Sequence, residues 1–483
     1  MANLAPPRAA LPRAPAHRVS AIAALCLLLS ARVAVAETGR ARPEPLDPVP
    51  VVLNDDGGWC WFQDERAIVA GPRLVFGSVA AGRRDPARRG AVEVTGVDLA
   101  TGATTRSRLS ATPLPPPDAY DDHNAPAFCL RGDGRLLAVY AGHGTESGFR
   151  YRVSVAAGDP AAWGSEGFFS PSPRSRVTYS NLLRLSAEGG RVYDFFRGID
   201  DLFKPSVAWS DDDGETWASG GIVIDVPTAV RHRPYVKYAS NGRDTVHLAY
   251  TQGHPRDFDN SVFHVLLHDG RLCGTDGRPL RPLAEGLRSP EEGTPVFRGD
   301  ADHVAWVADL ALDGEDRPLV AFSVQKGSAG LPPGRGGEDH RYHLARWTGD
   351  RWDEEEIAFA GSRLYAGEDD YTGGVALVPG DAETVFFSTN ADPATGQPLV
   401  SAADGHRHWE IWKGTRQGAP SPEVQDRSRW VFTPVTLDST ADNLRPVVPA
   451  SDALEPILLW LRGAYRTYTD YDLEVVGRLP VNP

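Results

Sequence analysis

The sequence is dominated by short apolar runs of about four to eight residues, separated by Gly, Asp, Asn and Pro, from residue 51 onward. Such runs, rich in Val, Leu, Phe and Tyr, cover residues 73–79, 192–196, 246–250, 319–324 and 384–389. Nowhere does an apolar period of 3.6 residues hold across three turns, as an amphipathic helix requires. The pattern predicts an all-β chain.

One turn motif separates the two architectures that this spacing allows, a large sandwich and a propeller. Residues 210–217 read SDDDGETW and match the Asp-box pattern S-x-D-x-G-x-T-W. This motif joins the outer strands of a propeller blade: its Ser and Asp bond the turn backbone, and its Trp packs beneath the turn. The 483 residues less the first 36 leave about 447, enough for seven blades of roughly 64 residues. We predict an all-β, seven-bladed β-propeller that forms a single domain over residues 37–483.

The first 36 residues have the pattern of a secretory signal peptide. Arg8, Arg13 and Arg18 give a basic start, and residues 21–29 form an apolar segment too short to span a bilayer. Residues 34–36, Ala-Val-Ala, supply a small-residue cleavage site. No later run is long and apolar enough to serve as a membrane anchor. We therefore expect a secreted or periplasmic protein.

The net charge limits the classes of binding partner, and the cysteine count limits the role of disulfides in stabilising the fold. The formal net charge of −14 argues against nucleic acid as a partner. It does not exclude an acidic polysaccharide, because local Arg and His clusters can bind anions. Without Cys26 of the leader, Cys60, Cys129 and Cys273 remain, an odd number that allows one disulfide at most. The fold cannot depend on a disulfide framework, and we expect a monomer.

Two histidines stand at the two ends of one predicted hairpin. His123 precedes the apolar run 125–130, a Gly-Asp-Gly turn follows, and His143 comes directly after the run 136–141. Antiparallel pairing places both imidazoles at the same end, within reach of one ligand. A single histidine beside a turn is commonly a structural hydrogen-bonding group. The pairing, with Asn124 beside it, favours a functional interpretation.

The next hairpin places Tyr179 and Arg197 together in the same way. Tyr179 begins one strand and Arg197 ends the following one. A tyrosine here is commonly a core aromatic residue whose hydroxyl is hydrogen-bonded. An arginine followed by glycine at a strand end is a better functional candidate, because guanidinium binds carboxylates through two parallel hydrogen bonds.

Further Arg and Tyr residues at strand ends are candidates for binding a sugar acid. Arg233 and Tyr235 lie on one face of a predicted strand, and Tyr250 ends the next one. A solvated basic edge strand would also explain these charges. Arg363 belongs to a later Arg/Tyr cluster, in which guanidinium would bind carboxylate or sulfate and aromatic rings would stack on pyranose rings. Inter-blade salt bridges are the alternative, which we favour for Arg445 and Arg466.

A structural metal is a further hypothesis. His264 and Cys273 lie at loop spacing, and His254 or His268 could complete a zinc site. The absence of a CxxC pair weakens this interpretation. Catalysis itself is expected to need no cofactor.

The ordered succession of these segments resembles the bacterial-neuraminidase-repeat family that includes the ulvan lyases of polysaccharide lyase families 24 and 25. The segments that carry the resemblance are DDHNAP, GHG, TYSNL, FFRG, RPYVKY, GHP, NSVFH, AFAGSRLY, EDDYTG, STNADP, DNLRP and LWLRGAYRTYTDYD. Together they span residues of about 54 to 476. The resemblance implies a seven-bladed propeller that cleaves an acidic, sulfated polysaccharide by β-elimination, with structural zinc or calcium.

Carried over by motif, the resemblance implies roles for the four residues. His123 and Tyr179 are the base and the acid in an order left open, while His143 and Arg197 neutralise and position the uronate carboxylate. Tyr179 would serve as both if Arg197 lowers its pKa. Tyr235 or Tyr250 would add a substrate contact.

Two rival functions remain at this stage. A sialidase would need three arginines on one carboxylate and a Tyr/Glu pair, and Arg197, Arg233 and Arg363 are the available arginines. A carbohydrate-binding propeller without catalysis would bind the polymer and leave it intact.

Overall fold

The computed structural model describes residues 45–46, 49–115, 119–226, 233–332, 334–418 and 429–480. The predicted signal peptide, residues 1–36, lies outside these residues. Within them, the chain forms 31 strands and six short 3-10 helices, and it contains no α-helix. No described helix has the length and apolar character needed to cross a membrane. The prediction of an all-β chain is confirmed.

The strands pair antiparallel into seven sheets of four to six strands. Sheet 1 contains β2 (Ala67–Ala70), β3 (Arg73–Val79), β4 (Val92–Asp98) and β5 (Thr104–Arg108). Sheet 2 contains β6 (Ala127–Leu130), β7 (Arg135–Tyr140), β8 (Phe149–Ala157), β9 (Asp159–Trp163) and β10 (Gly167–Phe169). Sheet 3 contains β11 (Thr178–Leu185), β12 (Arg191–Arg197), β13 (Pro205–Ser210) and β14 (Ala218–Ile222).

The remaining sheets continue in chain order. Sheet 4 contains β15 (Val236–Ser240), β16 (Thr245–Thr251), β17 (Val262–His268), β18 (Arg271–Cys273), β19 (Pro279–Pro282) and β20 (Thr294–Phe297). Sheet 5 contains β21 (His303–Leu312), β22 (Pro318–Lys326), β23 (His340–Trp347) and β24 (Trp352–Gly361). Sheet 6 contains β25 (Val375–Val378), β26 (Asp381–Thr389), β27 (Glu410–Arg416) and β28 (Trp430–Pro434). Sheet 7 contains β29 (Asp442–Val447), β30 (Leu458–Thr467), β31 (Asp470–Arg478) and the first strand, β1 (Val51–Asn54).

Seven apolar clusters lie between the sheets, one at each junction of neighbours. For example, Phe128 and Leu136 of sheet 2 pack with Val75 of sheet 1, while Leu459 of sheet 7 packs with Phe76 of sheet 1. Each sheet therefore buries both faces against its two neighbours, and the last sheet packs on the first. Fully burying one such side chain contributes roughly 1.5–3 kcal/mol. This cyclic packing is that of a seven-bladed β-propeller.

The Asp box lies where the sequence predicts it, in the turn between β13 and β14, the outer strands of sheet 3. Ser210 Oγ accepts from Gly214 N at 2.7 Å, and Asp212 Oδ1 accepts from Thr216 N at 2.8 Å. The Trp217 ring packs edge-on against Phe149 of sheet 2, with ring centroids 5.1 Å apart. The motif thus closes a blade turn and ties sheet 3 to sheet 2.

The six 3-10 helices lie in the connections between strands, and one of them contains His123 and precedes the β6–β7 hairpin. Their bounds are Pro86–Arg88, Asp122–Asn124, Ser186–Glu188, Ile199–Asp201, Leu283–Glu285 and Pro290–Glu292. Cys60, Cys129 and Cys273 are buried and unpaired. The one disulfide that the sequence would allow among these three cysteines does not form.

Candidate active site

The two histidines at the ends of the β6–β7 hairpin meet as predicted. The backbone N–H of His123 bonds Asp121, the residue that caps the 3-10 helix Asp122–Asn124. His143 follows β7 on the return. The two imidazole rings stack with centroids 3.9 Å apart and planes inclined by 7°. The connection before β6 and the β6–β7 hairpin therefore bring the two imidazoles into contact.

Asp121 binds both imidazoles through its two oxygens. His123 Nδ1 lies 2.7 Å from Oδ1, and His143 Nδ1 lies 3.0 Å from Oδ2. His123 Nδ1 is also 2.8 Å from Asp122 Oδ1. With both Nδ1 atoms facing carboxylates, each Nε2 is left for another partner. The His143 side chain is 29 % exposed and that of His123 only 6 %.

The surroundings separate the pKa values of the two histidines. Burial disfavours charge on His123, but the negative forms of Cys60 and Tyr179, together with the Asp121 and Asp122 carboxylates, raise its pKa well above the ordinary value. Burial and the adjacent charge of His123 lower the pKa of His143, and Asp121 only partly offsets them. The surroundings therefore favour the charged form on the deeper ring and the neutral form on the more exposed one.

Tyr179 and Arg197 come to the same place from sheet 3. Thr178 pairs with Arg197 in the β11–β12 ladder, so the predicted hairpin geometry is confirmed. The Tyr179 ring centroid lies 5.4 Å from that of His123 and 6.0 Å from that of His143. Arg197 Cζ lies 5.2 Å from the Tyr179 ring centroid. An imidazole pair, a phenol and a guanidinium thus form one cluster.

A bulge in β11 places the tyrosine. The register shifts between Thr178 and Asn181, and Tyr179 has a φ of 62°, a left-handed conformation that is uncommon for a residue with a side chain. Asn181 Nδ2 donates to the Tyr179 carbonyl at 2.7 Å. Asp194 Oδ1 accepts from Asn181 N at 3.0 Å. Strained backbone held by buried hydrogen bonds is a common feature of functional sites.

The pKa of Tyr179 corrects one expectation from the sequence. Burial raises the pKa of this phenol well above its ordinary value, although the charges of His123 and Arg197 act in the opposite direction. Arg197 therefore does not lower the pKa of Tyr179 below the ordinary value, because desolvation of the phenolate dominates. Near neutral pH, the hydroxyl of Tyr179 therefore keeps its proton.

Three of the predicted binding residues border the cluster. Tyr235 lies beneath Arg197, whose Cζ is 4.3 Å from the ring centroid. Arg233 is buried, and desolvation together with the charge of Arg197 lowers the pKa of its guanidinium. Asn124 adjoins His123, and its buried Oδ1 accepts no hydrogen bond within the described residues. All three are buried side chains beside the cluster.

The structure does not bring the other two predicted binding residues to this cluster. Tyr250 is fully buried in the core between sheets 3 and 4, where its hydroxyl donates to the Pro290 carbonyl at 2.8 Å. Arg363 binds the loop carbonyl of Gly336 and Asp369 Oδ1, the latter at 3.3 Å. A strand-end position alone did not distinguish these residues from those that converge.

The residues predicted to bind zinc do not converge either. His264 is fully buried between His247, at 3.1 Å, and Thr275 Oγ1, at 2.8 Å. In the β17–β18 ladder Cys273 pairs with Leu266, so it is offset from His264. His254 lies in a loop beside Trp306, with ring centroids 4.8 Å apart. The ladder register thus separates the predicted ligands.

Two sets of metal-type donors are found elsewhere in the described residues, and both include His123. Asp121, His123 and His143 form one, and Cys60, Asp122 and His123 form the other, each with donor atoms within 4.8 Å of one another. The stacked imidazoles are parallel, so their lone pairs do not converge on a single point. Asp121 already bridges both Nδ1 atoms. This geometry fits the sharing of protons better than coordination of an ion.

Tyr468 was not singled out from the sequence, and Arg445 was assigned only to a salt bridge between blades. Arg445 of sheet 7 binds Asp122 Oδ2 at 2.5 Å, which confirms the favoured inter-blade salt bridge, and the Tyr465 hydroxyl donates to the same oxygen at 2.9 Å. Arg466 instead pairs with Asp470 in its own hairpin. Tyr468 lies against both histidines. The one sequence signal for Tyr468 is the segment LWLRGAYRTYTDYD, had that segment been assigned to the site.

Comparison with known structures shows the same fold in two chains. An ulvan lyase of polysaccharide lyase family 25, bound to -[GlcA(1-4)Rha3S]-, matches with a TM-score of 0.62 at 15 % identity, covering 88 % of this chain and 95 % of that one. A second structure of a family 25 ulvan lyase matches with a TM-score of 0.61, the same identity and the same coverage. No curated protein matches the sequence.

The sequence profile of the BNR repeat-containing family matches residues 77–360, more than half of the chain. The matched span begins in β3 and ends in β24, so it includes both hairpins that build the cluster. This chain belongs to the BNR repeat-containing family.

Proposed function

We propose that this protein is a polysaccharide lyase that cleaves a uronate-containing polymer by β-elimination. The observation that carries the proposal is the cluster of two imidazoles, a guanidinium and a phenol. The C5 proton of a uronate is weakly acidic, so elimination needs a neutralised carboxylate, a base for C5–H and an acid for the leaving O4. The four residues cover these three needs, because two of them would neutralise the carboxylate.

The protonation states suggest an order of roles. His123, as an imidazolium, and Arg197 would bind the uronate carboxylate. The neutral His143, whose Nδ1 faces Asp121, would take the C5 proton on Nε2. The C4=C5 double bond then forms as the C4–O4 bond breaks, and the Tyr179 hydroxyl protonates O4. Both groups recover their starting states by proton exchange with water.

This order exchanges the two histidines relative to the roles implied by the family resemblance. Because pairs of titratable groups with separated pKa values commonly divide acid and base roles, the neutral ring is the better base. The pH profile of kcat/KM tests the exchange. We expect an acid limb below the ordinary histidine pKa, where His143 becomes protonated, and an alkaline limb above it, where His123 loses its proton. A profile with an acid limb at or above the ordinary value would contradict this assignment.

We further propose an ulvan-like, sulfated uronate polymer as substrate. The likeness in fold to the family 25 ulvan lyases and the ordered motifs support this choice. Arg233 and Tyr235 would border the bound chain, the first facing an anionic substituent and the second a sugar ring. The proposal includes a secreted or periplasmic monomer that needs no cofactor for catalysis.

The arrangement is less suited to the rival functions. A sialidase-like site needs three arginines on one carboxylate, but Arg363 is engaged with Asp369 and its own loop. A purely carbohydrate-binding propeller would not need an imidazole pair with separated pKa values.

Ultraviolet absorbance of newly formed unsaturated uronate ends tests the function directly. Incubation with ulvan, and with a panel of sulfated and unsulfated uronate polymers, should produce this absorbance for at least one polymer. Tyr179→Phe, which keeps the ring and removes the donor, is the matched control and should abolish it. Release of reducing ends without the absorbance would identify a hydrolase, and binding without either product would identify a carbohydrate-binding protein.

A further inference from the structure

The ring of Tyr468 packs against the side of the His123–His143 stack. Its ring stands nearly perpendicular to both imidazoles, at 84° to His123 and 79° to His143, with centroid distances of 5.0 and 5.5 Å. Because the imidazoles are stacked in parallel, one perpendicular ring alongside them contacts both at once. Asp121 occupies the Nδ1 edges, and Tyr468 lies beside the stack.

The tyrosine is brought there by the last hairpin of the chain. Tyr468 lies in the turn between β30 and β31, and its carbonyl accepts a hydrogen bond from Asp122 N at 3.0 Å. Asp470, two residues on, binds Arg83 of the β3–β4 connection at 2.7 Å. The turn is thus fixed to sheet 1 and to the residue before His123, so the ring position does not depend on its own side chain.

We propose that Tyr468 is a positioning residue that stabilises the protonated form of the histidine pair. At these distances beside the stack, the tyrosine ring turns its face to the edges of the imidazoles. The face of an aromatic ring is the negative part of its quadrupole, so it attracts the positive charge of an imidazolium. The inference rests on the proposed function for its kinetic consequence only, since the protonation of the pair is measurable without substrate.

Other titratable groups also affect the protonation of the two histidines, so the experiment must leave these groups unchanged. The titratable groups around the two histidines are Asp121, Asp122, Cys60, Tyr179 and Tyr465, with Arg445 behind Asp122. None of them is altered by substitution at position 468. The Asp122–Tyr468 hydrogen bond uses the backbone and is retained.

The experiment compares Tyr468→Leu, which removes the ring, with Tyr468→Phe, which removes only the hydroxyl. Nuclear magnetic resonance titration of the imidazole signals, assigned with His123→Gln and His143→Gln, reports the two apparent pKa values of the pair. Removing the ring should lower the higher apparent pKa by about half a unit, the effect of a modest cation–π contact. Tyr468→Phe should leave it unchanged.

Two outcomes would overturn the proposal. One is an unchanged titration in a folded Tyr468→Leu protein, checked by an unaltered thermal unfolding temperature. The other is an equal shift in both variants, which would assign the effect to the hydroxyl. If the titration shifts but no uronate polymer is cleaved, the inference stands and the proposed function fails. If a polymer is cleaved, the alkaline limb of kcat/KM should shift with the titration.

Discussion

The part of the chain that the structure describes contains two close pairs of histidines, and their surroundings give the two pairs different pKa values. His123 and His143 stack 3.9 Å apart and share Asp121, and their pKa values move in opposite directions. His247 and His264 also lie in contact, with Nδ1 and Nε2 3.1 Å apart, but their neighbours are Thr275 and Trp352 rather than a carboxylate. Burial lowers the pKa of both. A bridging carboxylate and partial exposure thus separate a candidate acid–base pair from a core pair.

The largest expected effect is on catalysis. His143→Gln and Tyr179→Phe should each lower kcat by about 10³-fold, because each removes a proton-transfer group from the proposed elimination. His247→Gln, in the core pair, is the matched comparison and should leave kcat per folded molecule unchanged. Initial rates of unsaturated uronate formation provide the measurement. Equal losses in His143→Gln and His247→Gln would remove the distinction between the pairs.

Next in size is the effect of the bridging carboxylate. Asp121→Asn retains the shape of the side chain but removes the charge that both Nδ1 atoms face, so we expect a loss of roughly 10²-fold in kcat/KM. The pKa of His123 should fall towards the ordinary value, which would move the alkaline limb of activity to lower pH. A pH–rate profile of Asp121→Asn that coincides with the native profile would show that Asp121 does not control the pair.

A smaller effect is expected on stability in acid. The pKa of His247 is about 4 in the folded protein and near 6.5 when exposed, so the unfolded state binds more protons between these values. The contribution of neutral His247 to the free energy of unfolding is complete above pH 6.5. It falls by roughly 2–3 kcal/mol as the pH is lowered towards 4. Denaturant unfolding at pH 7 and pH 5 should show a smaller loss in His247→Leu than in the native protein. The raised pKa of His123 acts oppositely, since its contribution is present below pH 6.5 and is lost as the pH rises through the folded value.

The smallest expected effect concerns metal. Because His254, His264 and Cys273 do not converge, a chelator should leave the thermal unfolding temperature unchanged, and Cys273→Ser should unfold at the same temperature with and without the chelator. Elemental analysis of the purified protein provides the second measurement. Stoichiometric zinc that is lost on substitution of Cys273 would restore the metal hypothesis.

Local signals in the sequence were sufficient for the fold and for half of the site. Alternating apolar runs and turn residues predicted an all-β propeller, because strand and turn preferences act over a few residues. The same logic placed His123 beside His143, and Tyr179 beside Arg197, because the two ends of a hairpin are close whatever surrounds them. It did not foresee that Cys273 is offset from His264, because the β17–β18 register is set by a ladder and not by spacing along the chain.

The sequence by itself therefore determined the class of fold, the two hairpins and the residue types available for acid–base chemistry. Only the tertiary structure decided which histidine holds the proton, because burial and the positions of Asp121 and Asp122 around the two rings set the pKa values. It also brought Tyr468 against this pair and Arg445 against Asp122, each from more than 300 residues away along the chain. Such contacts arise where the last sheet packs on the first, and no local pattern encodes the closure of that ring.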